Sequence, residues 1–333
     1  MTRSAELGAR TVETSALPVV DISGLRTDDP GARAAVGRAL RAACVDKGFF
    51  YVSGHGIEPA LLEAAFDEAR TFFALPAAEK RRVAMTKDNY GRGHEDVCGQ
   101  TLEAGAPPDL KEGYYLGREA RSDGTVPEGD AGVGFGPNLW PARPEFREIL
   151  TEYHRRMTEV ATLLMDGLAL SLDLPEDWFR DFCAEPTPTL RILHYPPQPP
   201  NPRPGEKGAA HTDWGGITLL AQDENGGLQV LDENEGWIHA APIPGTFVVN
   251  LGDLMARWTD DLYRSTLHRV VNTSGAERYS MPFFFSGRPD AEVITIPTCR
   301  RPGQPDRYPP TTPAQHTRER QRETYELNML NML

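Results

Sequence analysis

Residues 209–222 read "AAHTDWGGITLLAQ". His211 and Asp213 stand two positions apart, Trp214 and two glycines follow, and the β-like run "ITLLAQ" closes the stretch. In an extended chain residues i and i+2 point the same way. The imidazole and the carboxylate can therefore project together from the mouth of a sheet. The pairing alone carries no information: with 8 His and 48 acidic residues in 333, roughly one His-x-acid triplet arises by chance. The chain has a second one, His94 and Asp96 in "GHEDV", so context has to separate them.

The context after residue 187 is β. The apolar period shortens there from about 3.6 to about 2. "TLRILHY", "ITLLAQ", "LQVLD", "WIHAAP", "TFVVNL", "STLHRVV", "YSMPFFF" and "EVITIP" are each bounded by Gly, Pro, Asn or Asp, a pattern that predicts a β-sandwich or barrel. Helical spacing comes earlier: Val36, Leu40 and Ala43 with Gly48 as the stop; Leu62, Phe66, Ala69 and Phe73 ended by Pro76; and a longer run through Phe146, Ile149, Tyr153, Met157, Val160, Leu164 and Leu168. "LPVVDISGL" (17–25) and "GFFYVSGHGI" (48–57) read as strands, and 85–143 is glycine-rich and weakly periodic. Residues 1–16 read as a loose tail, the proline-rich 196–208 as a mobile loop, and 317–333 as a closing helix. Helices set apart from strands exclude the alternating βαβ pattern.

Two ligands leave a metal loose, so a third is needed. His154 falls in a helix among charged residues and reads as solvated. His316 falls in a polar tail, and His55 before Gly56 reads as structural. His268 lies in "STLHRVV", 55 residues after Asp213, far enough to return beside it on another strand. Two His and one carboxylate leave three positions of an octahedron open, the arrangement of non-haem Fe(II) oxygenases. A structural zinc would close its site with Cys or His, and no Cys is near. His94 and Asp96 have no strand around them in this reading. Arg278 and Ser280 again share a strand face, and their fork and hydroxyl suit a distal carboxylate.

The bulk numbers bound the rest. A composition of 39% hydrophobic and 25% charged residues is that of an ordinary globular protein. The formal charge of −13 argues against nucleic acid or an anionic membrane as partner. Cys44, Cys98, Cys183 and Cys299 are scattered, with no C-x-x-C pair. No signal peptide or spanning segment is read, so the expected compartment is a reducing cytoplasm.

"LPVVDIS", "GFFYVSGHGI", "FFALPAAEK", "DLKEGYYLG", "HTDWGGITLL", "VVNLGDLMARWT", "STLHRVV" and "RYSMPFFF" occur in the order found in the isopenicillin N synthase-like Fe(II)/2-oxoglutarate-dependent dioxygenases. Over residues 17–298 the chain resembles that family. The resemblance implies an α+β fold with a mainly β core: a double-stranded β-helix (jelly roll) flanked by N-terminal helices and a C-terminal helix. It implies an N-terminal region over 17–135, a long helix and connector over 136–185, the jelly-roll core over 186–298 and a closing loop and helix over 299–333, in one compact unit. It implies that His211, Asp213 and His268 bind Fe(II), and that Arg278, Ser280 and Tyr195 hold 2-oxoglutarate. Leu193 stands where plant members often have Asn, and Trp214 where many members have Tyr.

The activity so implied consumes 2-oxoglutarate and O2, releases succinate and CO2, and hydroxylates a C–H bond of a small organic molecule through a ferryl oxidant, with ascorbate as a stimulant. The chain would act as a monomer or a dimer. Two alternatives stay open: a family oxidase that closes rings or desaturates without 2-oxoglutarate, and a non-catalytic jelly roll that binds a small ligand. For the substrate, Arg92, Lys111 and Arg118 are candidate anion contacts or solvated charges. Tyr114, Phe283 and Phe285 are candidate pocket walls or core residues.

Overall fold

The structure is a computed structural model that describes residues 17–86, 91–97, 110–119, 134–197, 210–272 and 274–330, with side chains to residue 322. The expected tail at 1–16, most of the proline-rich loop (198–208) and Cys98 lie outside these residues. Eight strands form one sheet in the order β1 (Val19–Asp21), β2 (Phe49–Ser53), β9 (Phe247–Leu251), β6 (Ile217–Gln222), β11 (Arg278–Phe285), β5 (Thr189–Tyr195), β4 (Glu112–Gly117) and β3 (Gly93–Glu95). β1 and β2 are parallel and every other pair is antiparallel. A second sheet, β10 (His268–Val270), β7 (Leu228–Asp232) and β8 (Gly236–His239), packs Leu228, Val230 and Ile238 against Phe49, Tyr51 and Val248 of the first. The two sheets are the jelly-roll core.

The outer face of the large sheet is covered by α1 (Pro30–Asp46), α2 (Pro59–Phe73) and α4 (Pro144–Ser171). Short helices α3 (Ala77–Lys80), α5 (Arg180–Cys183) and α6 (Asp253–Trp258) and the terminal α7 (Pro313–Leu330) complete the fold. α1 starts where Asp29 accepts a hydrogen bond from the Gly31 amide (2.8 Å) and Pro30 presets the first turn. It stops at Gly48, whose φ of +62° a side chain would strain. α4 buries Phe146, Leu150, Tyr153, Met157, Val160, Leu164 and Leu168 at three- and four-residue spacing, the stripe that packs a helix on a sheet. Cys44 and Cys299 are buried, and Cys44, Cys183 and Cys299 are free thiols.

The alternation along β11 sorts side chains between the faces. Arg278, Ser280, Pro282 and Phe284 turn inward, toward the small sheet. Met281, Phe283 and Phe285 turn outward into the helix-side core. Phe283 meets His154 of α4 edge-on (5.3 Å) and Phe285 meets Phe182 (6.2 Å), so both are core residues rather than pocket walls. Tyr114 is likewise outward, against Phe72 and Phe146.

Four expectations need correction. "EVITIP" is no strand: only Val293 bridges, to Thr311, because Pro309 and Pro310 beside that partner have no N–H to extend the ladder. The weakly periodic 85–143 stretch contains β3 and β4. β4 is buried on both faces, so its sequence does not alternate. His154 is half-buried, not solvated, and burial lowers its pKa to about 4. His316 is buried, with burial again lowering its pKa.

Candidate metal centre

His211 and His268 are cross-strand neighbours at the edge of the small sheet. Each backbone N–H donates to the other residue's carbonyl (2.9 Å both ways), a bridge that prolongs β10. Asp213 follows on the 211–216 turn, and its buried carboxylate lies against the large sheet. His211 Nε2 is 3.9 Å and His268 Nε2 is 3.8 Å from Asp213 Oδ1. Among the described residues this is the one set of three His, Cys, Asp or Glu whose donor atoms gather within 4.8 Å.

The remaining polar atoms of two of the three are tied down. Asp213 Oδ2 accepts from Thr218 Oγ1 (2.6 Å) on β6 and from Asn250 Nδ2 (2.7 Å) on β9, which aims Oδ1 at the imidazoles. Burial opposes charge on this carboxyl, but the His268 and His211 imidazoles and the Asn250 and Thr218 hydrogen bonds outweigh it and hold its pKa below the ordinary value. His268 Nδ1 donates to the Thr266 carbonyl (3.1 Å), which fixes the tautomer with Nε2 as the lone-pair atom. The turn is held from behind. Asp253 N–H donates to Asp213 O (2.7 Å), and its carboxylate accepts from Thr212 (3.2 Å) and Ser265 (2.6 Å). Gly252 packs so close that a Cβ there would stand 2.3 Å from the Gly215 carbonyl oxygen.

Arg278 is fully buried on the inward face, where burial works against its charge and lowers its pKa. Nη1 donates to Ser280 Oγ (2.9 Å), and Nε donates to the Gly226 carbonyl. Nη2 is enclosed without a hydrogen-bond partner. The Tyr195 ring, across the strand pair, lies 4.8 Å from the guanidinium carbon. Leu193 faces Ser280 in the next row.

The rival pair sits elsewhere. His94 lies in β3, not in an irregular stretch, and its Nε2 donates to Glu112 Oε2 (2.9 Å). Asp96 is 3.9 Å from the other ring nitrogen and points to solvent. His194 Nδ1 donates to Glu112 Oε1 (2.9 Å), His239 bonds the Leu228 carbonyl and His55 caps the Ile57 amide. Arg92 is buried and donates to the Gly134 carbonyl, while Arg118 donates to Pro186 O and pairs with Glu185. A cavity of about 760 Å³ beside α6 and α7 does not reach the triad, and its Lys47 and Arg264 are neutralised by Asp232 and Glu233.

Sequence reasoning missed Thr218, Asn250 and Asp253. A signal for Asn250 was present: one amide inside the apolar run "TFVVNL" needs a buried partner.

Comparison with known proteins bears on the whole chain. Residues 17–143 match a family model described as the N-terminal region of non-haem dioxygenases in morphine synthesis. Residues 186–287 match the 2OG-Fe(II) oxygenase superfamily. A 2-oxoglutarate-Fe(II) type oxidoreductase, hxnY of Emericella nidulans, is 41% identical over 318 residues, covering 93% of this chain and 91% of the relative. A full-length Neurospora crassa protein solved with alpha-KG and thymine superposes with a TM-score of 0.81 at 28% identity, covering 93% of this chain and 97% of that one. JOX2, solved with 2OG, Fe and JA, superposes with a TM-score of 0.73 at 30% identity, covering 90% and 83%. No helix among the described residues is long and apolar enough to cross a membrane. With that breadth of likeness in sequence and structure, the chain belongs to the 2OG-Fe(II) oxygenase superfamily and is an Fe(II)- and 2-oxoglutarate-dependent dioxygenase.

Proposed function

We propose that His211 Nε2, Asp213 Oδ1 and His268 Nε2 hold the Fe(II), and that Arg278, Ser280 and Tyr195 hold the distal carboxylate of 2-oxoglutarate. The observation that carries the reading is the convergence of three donor atoms from two segments, the 211–213 turn and β10, with the second oxygen of Asp213 and the second nitrogen of His268 bonded away from the centre. The donor set suits ferrous iron and leaves positions for a bidentate oxoacid and dioxygen. The enclosed, unpartnered Nη2 of Arg278 suits a carboxylate, since a guanidinium fork takes both oxygens at once.

Bound iron with 2-oxoglutarate and O2 supplies oxidative decarboxylation to succinate and CO2 and the hydroxylation of a C–H bond. The chain's own residues aim that chemistry. Thr218 and Asn250 keep the Asp213 carboxylate ionised and oriented. The Thr266 carbonyl accepts from His268 Nδ1 and so turns Nε2 toward the centre. Phe49, Leu228 and Val248 exclude water from one side. The substrate is a small organic molecule, a reading supported by relatives solved with thymine and with JA.

Under anaerobic conditions, Fe(II) and 2-oxoglutarate added to the protein should give a visible metal-to-ligand charge-transfer band. Asp213→Ala should abolish it, together with succinate formation. Arg278→Ala should need ~100-fold more 2-oxoglutarate, as expected for losing one partner of a buried charge pair. A band of full intensity in Asp213→Ala would overturn the ligand assignment.

A further inference from the structure

One arginine on the inward face is left over by this account. β5 sends Thr189, Arg191, Leu193 and Tyr195 to the same side as Arg278 and Ser280, because side chains two apart share a face. Arg191 is half-buried there. Its guanidinium carbon lies 5.0 Å from the Tyr115 ring centre and 4.9 Å from that of Phe284, so two aromatic faces clamp it. Its Nε is enclosed and has no hydrogen-bond partner. Among the described residues no carboxylate stands within ion-pair distance of it. Glu95, on the neighbouring β3, accepts from the hydroxyl of the clamping Tyr115.

The strand register places this cation relative to the iron ligands. Phe284, which clamps it, pairs across β11 and β6 with Thr218, and Thr218 holds Asp213. Adjacent strands are spaced by about 4.8 Å, so β5 stands about 10 Å from the strand that anchors the metal-side carboxylate. Along β5, Arg191 is four residues from Tyr195, or about 13 Å at the usual rise. The inward faces of β5 and β11 thus carry two arginines among the described residues. Arg278 lies at the 2-oxoglutarate end, and Arg191 lies at the opposite end.

We propose that Arg191 is a substrate-binding residue and that the substrate carries a carboxylate, which the guanidinium holds while Tyr115 and Phe284 flank the adjoining carbon skeleton. The proposal rests on the iron and co-substrate assignment above and adds the chemical class of the molecule to be oxidised. A fork clamped on both faces keeps its edge available for a planar two-oxygen anion at little cost in side-chain freedom. A neutral ligand could accept from the enclosed Nε but would leave the half-buried charge without a counter-ion. Arg278 cannot supply the contact, because Ser280, Gly226 and the co-substrate use its edge.

The test uses the iron-loaded protein with 2-oxoglutarate and a panel of aromatic and alicyclic carboxylic acids, each matched with its primary amide. Succinate release and thermal shift are read for each member. At least one acid should stimulate succinate release and raise the melting temperature where its amide does neither. Arg191→Gln should weaken that acid by ~10- to 100-fold, the range for a hydrogen bond to a charged group, and erase the preference over the amide. Arg191→Lys should restore part of it. Amides that match their acids throughout the panel would overturn the proposal, as would an acid preference that survives in Arg191→Gln. The anaerobic charge-transfer band, recorded without any panel member, separates the two levels. Its absence from the unsubstituted protein is a failure of the iron assignment, whereas its presence with no acid preference is a failure of Arg191 alone.

Discussion

Two His–carboxylate–His clusters lie on opposite sides of the large sheet, and they do opposite things. On the helix side, Glu112 accepts from His94 Nε2 and His194 Nδ1 at 2.9 Å and from Lys80 Nζ at 2.6 Å. Both oxygens are used, a cation balances the charge, and Phe72 and Phe73 wall the group in. On the inner side, the Asp213 oxygen that faces its two imidazoles stays 3.8–3.9 Å from them and has no lysine or arginine in ion-pair range among the described residues. The same three residue types make a closed structural knot in one place and a convergent donor set in the other. What separates them is whether the donors are spent on each other. Composition cannot report that, and neither can a His-x-acid spacing.

This contrast makes separable predictions. The largest effect belongs to the closed cluster. Glu112→Ala leaves the Lys80 ammonium, 11% exposed, without its partner and should cost about 3–5 kcal/mol of stability. Iron affinity per folded molecule should not change. Denaturant unfolding followed with Fe(II) binding checks both, and loss of iron binding at unchanged stability would merge the two roles. Next comes Asn250→Ala, which frees one hydrogen bond on Asp213 Oδ2. Fe(II) affinity should fall by ~10- to 100-fold, the usual effect of losing a partner behind a ligand. An unchanged dissociation constant would mean that Thr218 alone orients the carboxylate.

The smallest effect is a pH dependence. Burial opposes charge on Glu112, but the hydrogen bonds from His194, His94 and Lys80 prevail and hold its carboxyl far below the ordinary range. A lowered folded pKa contributes stability above the unfolded value of about 4.3 and loses it as pH falls further. The stability gap between the unsubstituted protein and Glu112→Ala should therefore stay flat from pH 7 to about 5 and narrow below about 4.3. A gap that widens on acidification would contradict the ionised-carboxylate reading.

Much of this was readable from the chain, for reasons that differ by residue. His211 and Asp213 were visible because period-2 geometry links them and a strand follows. His268 was visible because its β run lies several turns downstream. β4 was not readable, since "EGYYLG" is buried on both faces and shows no alternation. His94, Glu112 and His194 come from three strands, and only sheet pairing reveals that they meet. Phe284 was overlooked in favour of Phe283 and Phe285, although counting by twos from Arg278 and Ser280 reaches it. His154 looked solvated among arginines, yet it lies one helical turn after Leu150, flanks the buried stripe and meets Phe283 edge-on.

The most direct measurement is an anaerobic Fe(II) titration of His268→Ala and His94→Ala side by side. The account predicts that His94→Ala binds one Fe(II) per chain like the unsubstituted protein, and that His268→Ala loses tight binding. Full iron binding in His268→Ala, or its loss in His94→Ala alone, would contradict it.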